Sequence, residues 1–224
     1  MPKAGVTIAA VLFDLDGTLI DSAPDLAGAG NDMRVARGLR PLPLAYLRPM
    51  VGAGARGIVD RAFNVGPQDE AFAALRDEFL QRYEARMTRE TRVFDEMLPV
   101  LAALLANALP WGIVTNKAAR FSEPLVRALR LLPPAATLIC GDTTPHAKPH
   151  PAPLLEAARR IGVPASRCMY VGDDLRDVQA GRAAGMTTVA VAWGYLGAGE
   201  PIERWGADHL AQTPAELLKL LRMT

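Results

Sequence analysis

Acidic, hydroxyl and ammonium side chains recur in this chain directly after short apolar runs. The first group, Asp14-Leu15-Asp16-Gly17-Thr18-Leu19, follows the run 8–13. Two carboxylates one residue apart repel each other without a counter-ion. A hard divalent cation such as Mg2+ suits their oxygens and keeps room for waters and a phosphate oxygen. Gly17 lets the chain turn, and Thr18 offers a hydroxyl to a catalytic group or to the backbone. An acidic pair after a strand can also do no more than cap a turn, but here a buried-strand pattern precedes it and a long helical stretch follows. The second group, Thr115-Asn116-Lys117, ends the run Trp111-Gly112-Ile113-Val114. A phosphoryl group in transit needs donors at its equatorial oxygens, and the Thr115 hydroxyl and Asn116 backbone N–H are of that kind. The third is Lys148, set before a proline-braced helix start that can hold its ammonium rigidly. The fourth, Gly172-Asp173-Asp174-Leu175-Arg176-Asp177, follows another apolar run; Asp174 there can cap the helix that begins at Leu175.

Such groups need a scaffold that brings their loops to one place. Buried-strand patterns at 8–13, 111–114, 137–140, 168–171 and 188–192 alternate with helical patterns at 96–105, 121–129, 151–161 and 175–184. This alternation predicts an α/β fold whose parallel sheet is covered on both faces. Ligands of such sheets bind beyond the carboxyl ends of the strands, where all four groups fall. The segment 21–89 differs: it has no convincing strand and shows helical stretches at 23–37, 44–50, 56–63 and 68–87. It reads as a helical insert laid over the sheet, with hinges near 20–23 and 89–94.

Bulk properties exclude several classes. Half of the 224 residues are hydrophobic, 22% are charged and the net charge is +1. A nucleic-acid binder would carry a basic excess, and a membrane-surface protein a basic patch; neither is present. Cys140 and Cys168 sit in apolar runs and read as buried, inert thiols. The start, Met1-Pro2-Lys3-Ala4-Gly5, lacks the pattern of a signal peptide. The uncharged stretch 97–116 approaches the length of a membrane span, but Pro99, Asn107 and Pro110 interrupt it. It reads as a core helix followed by a strand. A cytoplasmic protein with no membrane or nucleic-acid partner is expected.

Val11-Leu12-Phe13-Asp14-Leu15-Asp16-Gly17-Thr18-Leu19 resembles the signature of the haloacid dehalogenase superfamily, and the other three groups occur in the order that family shows. The resemblance implies a Rossmann-like parallel core (1–20 and 90–224) with a helical cap (21–89) inserted after the first strand. It implies that Asp14 attacks phosphorus to form an aspartyl-phosphate and that Asp16 serves as general acid and base. It further implies phosphate contacts from Thr115 and Asn116, charge neutralisation by Lys148, and Mg2+ held by Asp14, Asp16 and Asp173. Asp177 would orient a metal-bound water or Lys148, while Asp174 would bind a metal water or cap its helix. Thr18 is expected beside the substrate. His146 and His150 are expected at the surface or behind the reacting groups. The carboxylate at Asp16 favours phosphatases and phosphomutases over dehalogenases and ATPase pumps.

At finer grain Lys148-Pro149-His150-Pro151-Ala152-Pro153-Leu154 and Trp193-Gly194-Tyr195 resemble the bacterial phosphoglycolate phosphatases, while the stretch 109–117 and Trp205-Gly206-Ala207-Asp208 resemble the related N-acetylmuramic acid 6-phosphate phosphatases. The chain departs from the former at Asp174, where Ser is frequent. In the insert, Val51-Gly52-Ala53-Gly54-Ala55-Arg56 allows close backbone approach, and Arg56 suits a carboxylate or a hydroxyl-rich group. The resemblance implies hydrolysis of a small phosphorylated metabolite, 2-phosphoglycolate first and the amino-sugar phosphate second, by a monomer or homodimer. A phosphomutase or a non-catalytic binding module would share these motifs without releasing phosphate.

Overall fold

A computed structural model describes residues 7–131, 134–197 and 199–223. The expectation about the first five residues lies outside this range. The first strand, β1 (Ala10–Phe13), is wholly buried, as an uninterrupted apolar run requires. It is followed by β2 (Ile20–Asp21), α1 (Ala23–Val35), α2 (Leu44–Leu47), α3 (Gly54–Phe63), α4 (Phe72–Glu84) and β3 (Arg92–Val93). The chain then alternates through α5 (Leu98–Ala106), β4 (Trp111–Val114), α6 (Ala119–Leu129), β5 (Thr137–Ile139), α7 (Ala152–Ile161), β6 (Cys168–Gly172), α8 (Leu175–Ala183), β7 (Thr187–Val191), β8 (His209–Ala211) and α9 (Pro214–Leu220).

The main sheet runs β5-β4-β1-β6-β7-β8, with every pairing parallel. Side chains alternate across it. Val11 and Phe13 face a cluster with Met97, Leu101, Leu104, Leu125 and Leu217, so α5, α6 and α9 cover that side. Ala10 and Leu12 face Leu154, Ala157 and Ala180, which places α7 and α8 on the other. Because β1 is central, its carboxyl end opens between the ends of β4 and β6. The loops carrying Asp14, Thr115 and Asp173 therefore emerge side by side.

Helices α1 to α4 pack on one another around Met33, Leu47, Ile58, Phe79 and Tyr83. Phe121 of α6 and Tyr195 join this cluster and tie it to the sheet. The two crossings pair as the antiparallel ribbon β2–β3. At the first, the Tyr195 hydroxyl accepts from the Ser22 and Ala23 N–H groups (2.8 and 3.0 Å), satisfying donors that α1 would leave unpaired. At the second, the buried Asp25 carboxylate accepts from the Glu90 and Thr91 N–H groups and the Thr91 hydroxyl.

Several boundaries differ from the sequence expectation. The helix expected over 44–50 stops at Leu47 and continues as a tighter 3-10 segment, Arg48–Ala53, where Pro49 cannot donate to an α-helical ladder. The one expected over 68–87 is shorter, Phe72–Glu84. The edge strand β8 and helix α9 went unforeseen. In β8 only Ala211 is fully buried, so it lacks an apolar run. Its ladder to β7 is reinforced by Asp208, whose carboxylate accepts from the Thr188 N–H and hydroxyl. The uncharged stretch 97–116 does divide into α5 and β4, and no described helix is long and apolar enough to cross a membrane. Both cysteines are free and buried.

Candidate active site

A cavity of about 390 Å³ lies over the carboxyl ends of β1, β4 and β6, between the sheet and the insert. Asp14, Asp16, Thr115, Asn116, Lys148, Asp173, Asp174 and Asp177 all line it. Its remaining wall is largely apolar and comes from Leu26, Val51, Phe79, Leu80, Tyr83 and Phe121.

Lys148 organises the floor. Its ammonium lies 2.6 Å from Asp14 Oδ1, 2.7 Å from Asp177 Oδ1, 2.8 Å from the Tyr170 hydroxyl and 2.9 Å from the Val114 carbonyl oxygen. Its backbone is clasped by the Asn116 side chain, which accepts from the Lys148 N–H and donates to its carbonyl (both 2.9 Å). Burial works against the charged ammonium, but the two carboxylates outweigh it and raise its pKa.

Three carboxylates, of Asp14, Asp173 and Asp177, each place an oxygen within 4.8 Å of the others, and all three are buried. Burial pushes the Asp14 carboxyl up to about 7 although Lys148 pulls it down, and Asp177 adds to the rise. Asp173 is raised well above the ordinary range by burial, then by Asp14 and Asp177. With all three ionised, the carboxylates against one ammonium would leave a double negative charge in a desolvated place, which a divalent cation with oxygen ligands would neutralise. The donor set fits such an ion.

The glycines make this crowding possible. Gly17 has a φ of +88°, and a Cβ there would strike the Asp173 carboxylate; one on Gly172 would strike that of Asp177. Asp173 is held by the Thr18 hydroxyl (3.0 Å to Oδ1) and the Tyr195 N–H (2.7 Å to Oδ2).

Asp16 belongs to a different arrangement. Its Oδ1 accepts from the Ser22 hydroxyl and from the Lys117 ammonium, both at 2.5 Å. Lys117 in turn lies 5.0 Å from the centre of the Tyr83 ring on α4. The Asp16 carboxylate is therefore outside the cluster of three, whose third member is Asp177.

Two further expectations, those for Thr18 and Arg56, differ from the structure. The Thr18 side chain is fully buried, does not line the cavity and spends its hydroxyl on Asp173, so it supports a carboxylate instead of touching substrate. Arg56 is exposed and lines a smaller adjoining depression with Pro49, Met50 and Arg176. Of the two readings for Asp174, the cap is the one formed: Oδ1 accepts from the Arg176 N–H (2.8 Å), and the Asp177 side chain returns the bond to the Asp174 N–H (3.1 Å). Asp174 also pairs with Arg176, whose guanidinium reaches the Gly52 carbonyl of the insert (2.6 Å). His146 and His150 are exposed and lie outside the cavity.

Sequence reasoning missed Lys117, Tyr170, Arg176 and Tyr195. Lys117 had a signal, since it directly follows Thr115-Asn116. Tyr170 had only the presence of a hydroxyl inside an otherwise apolar strand.

Comparison with known proteins gives this arrangement a context. The model of the haloacid dehalogenase-like hydrolases matches residues 8–185. An N-acetylmuramic acid 6-phosphate phosphatase of Pseudomonas aeruginosa is 41% identical over 212 residues, covering 95% of this chain and 94% of that protein. A phosphoglycolate phosphatase of Xanthomonas campestris pv. campestris is 48% identical over 209 residues, covering 93% and 94%. Among solved structures, a protein from Haemophilus somnus described as a predicted phosphoglycolate phosphatase superposes with a TM-score of 0.82 at 26% identity, covering 97% of this chain and 99% of that one.

Proposed function

The chain belongs to the haloacid dehalogenase-like hydrolases and is a phosphatase; we propose that it hydrolyses the phosphate monoester of a small carboxylic acid with Asp14 as nucleophile and Mg2+ as cofactor. The observation that carries this reading is the ion pair of Lys148 with Asp14, set within a buried cluster of three carboxylates. Asp14 Oδ1 is held by Lys148, and the other oxygen is left to attack phosphorus. As that bond forms, the bond from phosphorus to the leaving oxygen breaks, and Asp16 gives the leaving oxygen a proton. Water then attacks the aspartyl-phosphate and loses a proton to Asp16, which frees phosphate and restores the Asp14 carboxylate. Thr115 and the Asn116 N–H bind the phosphoryl oxygens, and Lys148 offsets their charge. Asp14, Asp173 and Asp177 would hold the Mg2+, which when bound supplies positive charge to the phosphoryl group.

The helices of 21–89 serve as the cap that shields this chemistry from water. Among substrates, 2-phosphoglycolate comes first, on the identity to its named relatives. A second reading, N-acetylmuramic acid 6-phosphate, has the cavity in its favour: about 390 Å³ with a broad apolar wall suits a sugar better than a two-carbon acid.

Acid-quenched mixing with substrate labelled at phosphorus tests the reading. A burst of label bound to protein and lost to hydroxylamine is expected in the wild type and absent in Asp14→Asn, with phosphate release falling at least about 10⁴-fold. Label-free wild-type protein that still releases phosphate would contradict the covalent step.

A further inference from the structure

Four cationic side chains line the cavity: Lys117, Arg120, Lys148 and Arg176. Three are already matched. Lys148 serves Asp14 and Asp177, Lys117 serves Asp16, and Arg176 serves Asp174. Arg120 alone among these four has no carboxylate at ion-pair distance among the described residues. It is exposed, and its guanidinium carbon lies over the Phe121 ring, 4.4 Å from its centre.

We propose that Arg120 is the specificity-determining residue that receives the carboxylate of the substrate's leaving group. This rests on the phosphatase reading above and deepens it. A guanidinium stacked on an aromatic ring keeps its edge N–H groups free, and that edge matches a carboxylate with two parallel hydrogen bonds. The ring contact also restricts the side chain, so less freedom is lost on binding.

The surroundings place this cation with the leaving group rather than with the phosphate. The Phe121 ring beneath Arg120 meets the Tyr83 ring (5.6 Å between centres), and Tyr83 faces the Lys117 ammonium, which touches Asp16. Asp16 is the group assigned to the leaving oxygen. The phosphate end has its own cation in Lys148. Arg120 also shares the cavity lining with the apolar side chains of Phe79, Leu80 and Phe121, where carbon rather than phosphoryl oxygen would be accommodated.

Two matched substrate pairs test this. 2-Phosphoglycolate is compared with 2-hydroxyethyl phosphate, which carries a hydroxymethyl group where the acid has its carboxylate. N-acetylmuramic acid 6-phosphate is compared with N-acetylglucosamine 6-phosphate, which lacks only the lactyl acid. The readout is the ratio of kcat/KM, acid over neutral partner, within each pair. The wild type is expected to prefer the acid in at least one pair, and Arg120→Met to shrink that preference by about 10–100-fold. Arg120→Lys, which keeps the charge but loses the fork, should fall between. An unchanged ratio in Arg120→Met, or no wild-type preference in either pair, overturns the proposal. Hydrolysis of p-nitrophenyl phosphate separates the two levels. If it proceeds while all four metabolites are inert, the proposal about Arg120 fails and the phosphatase stands; if it does not proceed, the reading beneath the proposal fails as well.

Discussion

The two lysines of the cavity, Lys148 buried and Lys117 half-buried, make an instructive contrast. Lys148 sits in the sheet floor, where all four groups around its ammonium come from β1, β4, β6 and α8 or the loops at their ends. Lys117 sits at the seam, with Asp16 on the sheet side and the Tyr83 ring on the insert side. The floor is thus complete without the insert, whereas the surroundings of Asp16 are completed by it. Preorganised charge stabilises a phosphoryl transition state only if it does not move, and the floor meets that requirement. Asp16, the proposed acid and base, is held by a lysine whose contact with Tyr83 forms only when insert and sheet are together.

Breaking each lysine sharpens this contrast. Lys148→Met strips the cation from two buried carboxylates, and the loss of one partner from a buried pair costs about 3–5 kcal/mol. Urea unfolding of the metal-free protein should show that loss. Lys117→Met removes a pair that is still partly open to solvent, 10% and 17% exposed. It should cost less, about 1–3 kcal/mol, while lowering kcat for phosphate release. A larger destabilisation from Lys117→Met than from Lys148→Met would reverse the roles given to floor and seam.

A smaller effect concerns pH. In the metal-free protein the Asp14 carboxyl is raised from 3.8 to about 7, and Asp173 is raised as well. Groups raised in this way retain protons that the unfolded chain gives up. Their contribution to stability is full below the ordinary carboxylate range and is lost as pH rises through about 7. Protons also compete with a divalent cation for the same oxygens. Mg2+ should therefore raise Tm more at pH 8 than at pH 5, a difference that thermal melts with and without the ion would read. Equal shifts at both values would mean that the ion binds elsewhere.

Much of the fold was legible because long buried runs and helical periodicity are local signals. The strands β1, β4 and β6 and their order of loops could be read directly, and so could the convergence of Asp14, Thr115, Lys148 and Asp173. What escaped depends on contacts between distant residues. Asp16 and Asp177 each lie near another acid in sequence, and nothing local says that Lys117 and Ser22 would turn Asp16 away while Lys148 draws Asp177 in. Arg56 and Arg120 are both single arginines in the first turn of a helix. Only the packing of α3 and α6 places the former in the adjoining depression and the latter in the cavity. The strand β8 was hidden for a related reason, since its ladder is reinforced by the Asp208 side chain and it lacks an apolar run.

The account turns on which carboxylates hold the ion, and calorimetric titration of Mg2+ into the wild type, Asp173→Asn and Asp16→Asn addresses that directly. Binding is expected to be lost in Asp173→Asn and kept in Asp16→Asn, whose side chain is committed to Lys117 and Ser22. Loss in Asp16→Asn with retention in Asp173→Asn would contradict the arrangement of the floor on which every step here depends.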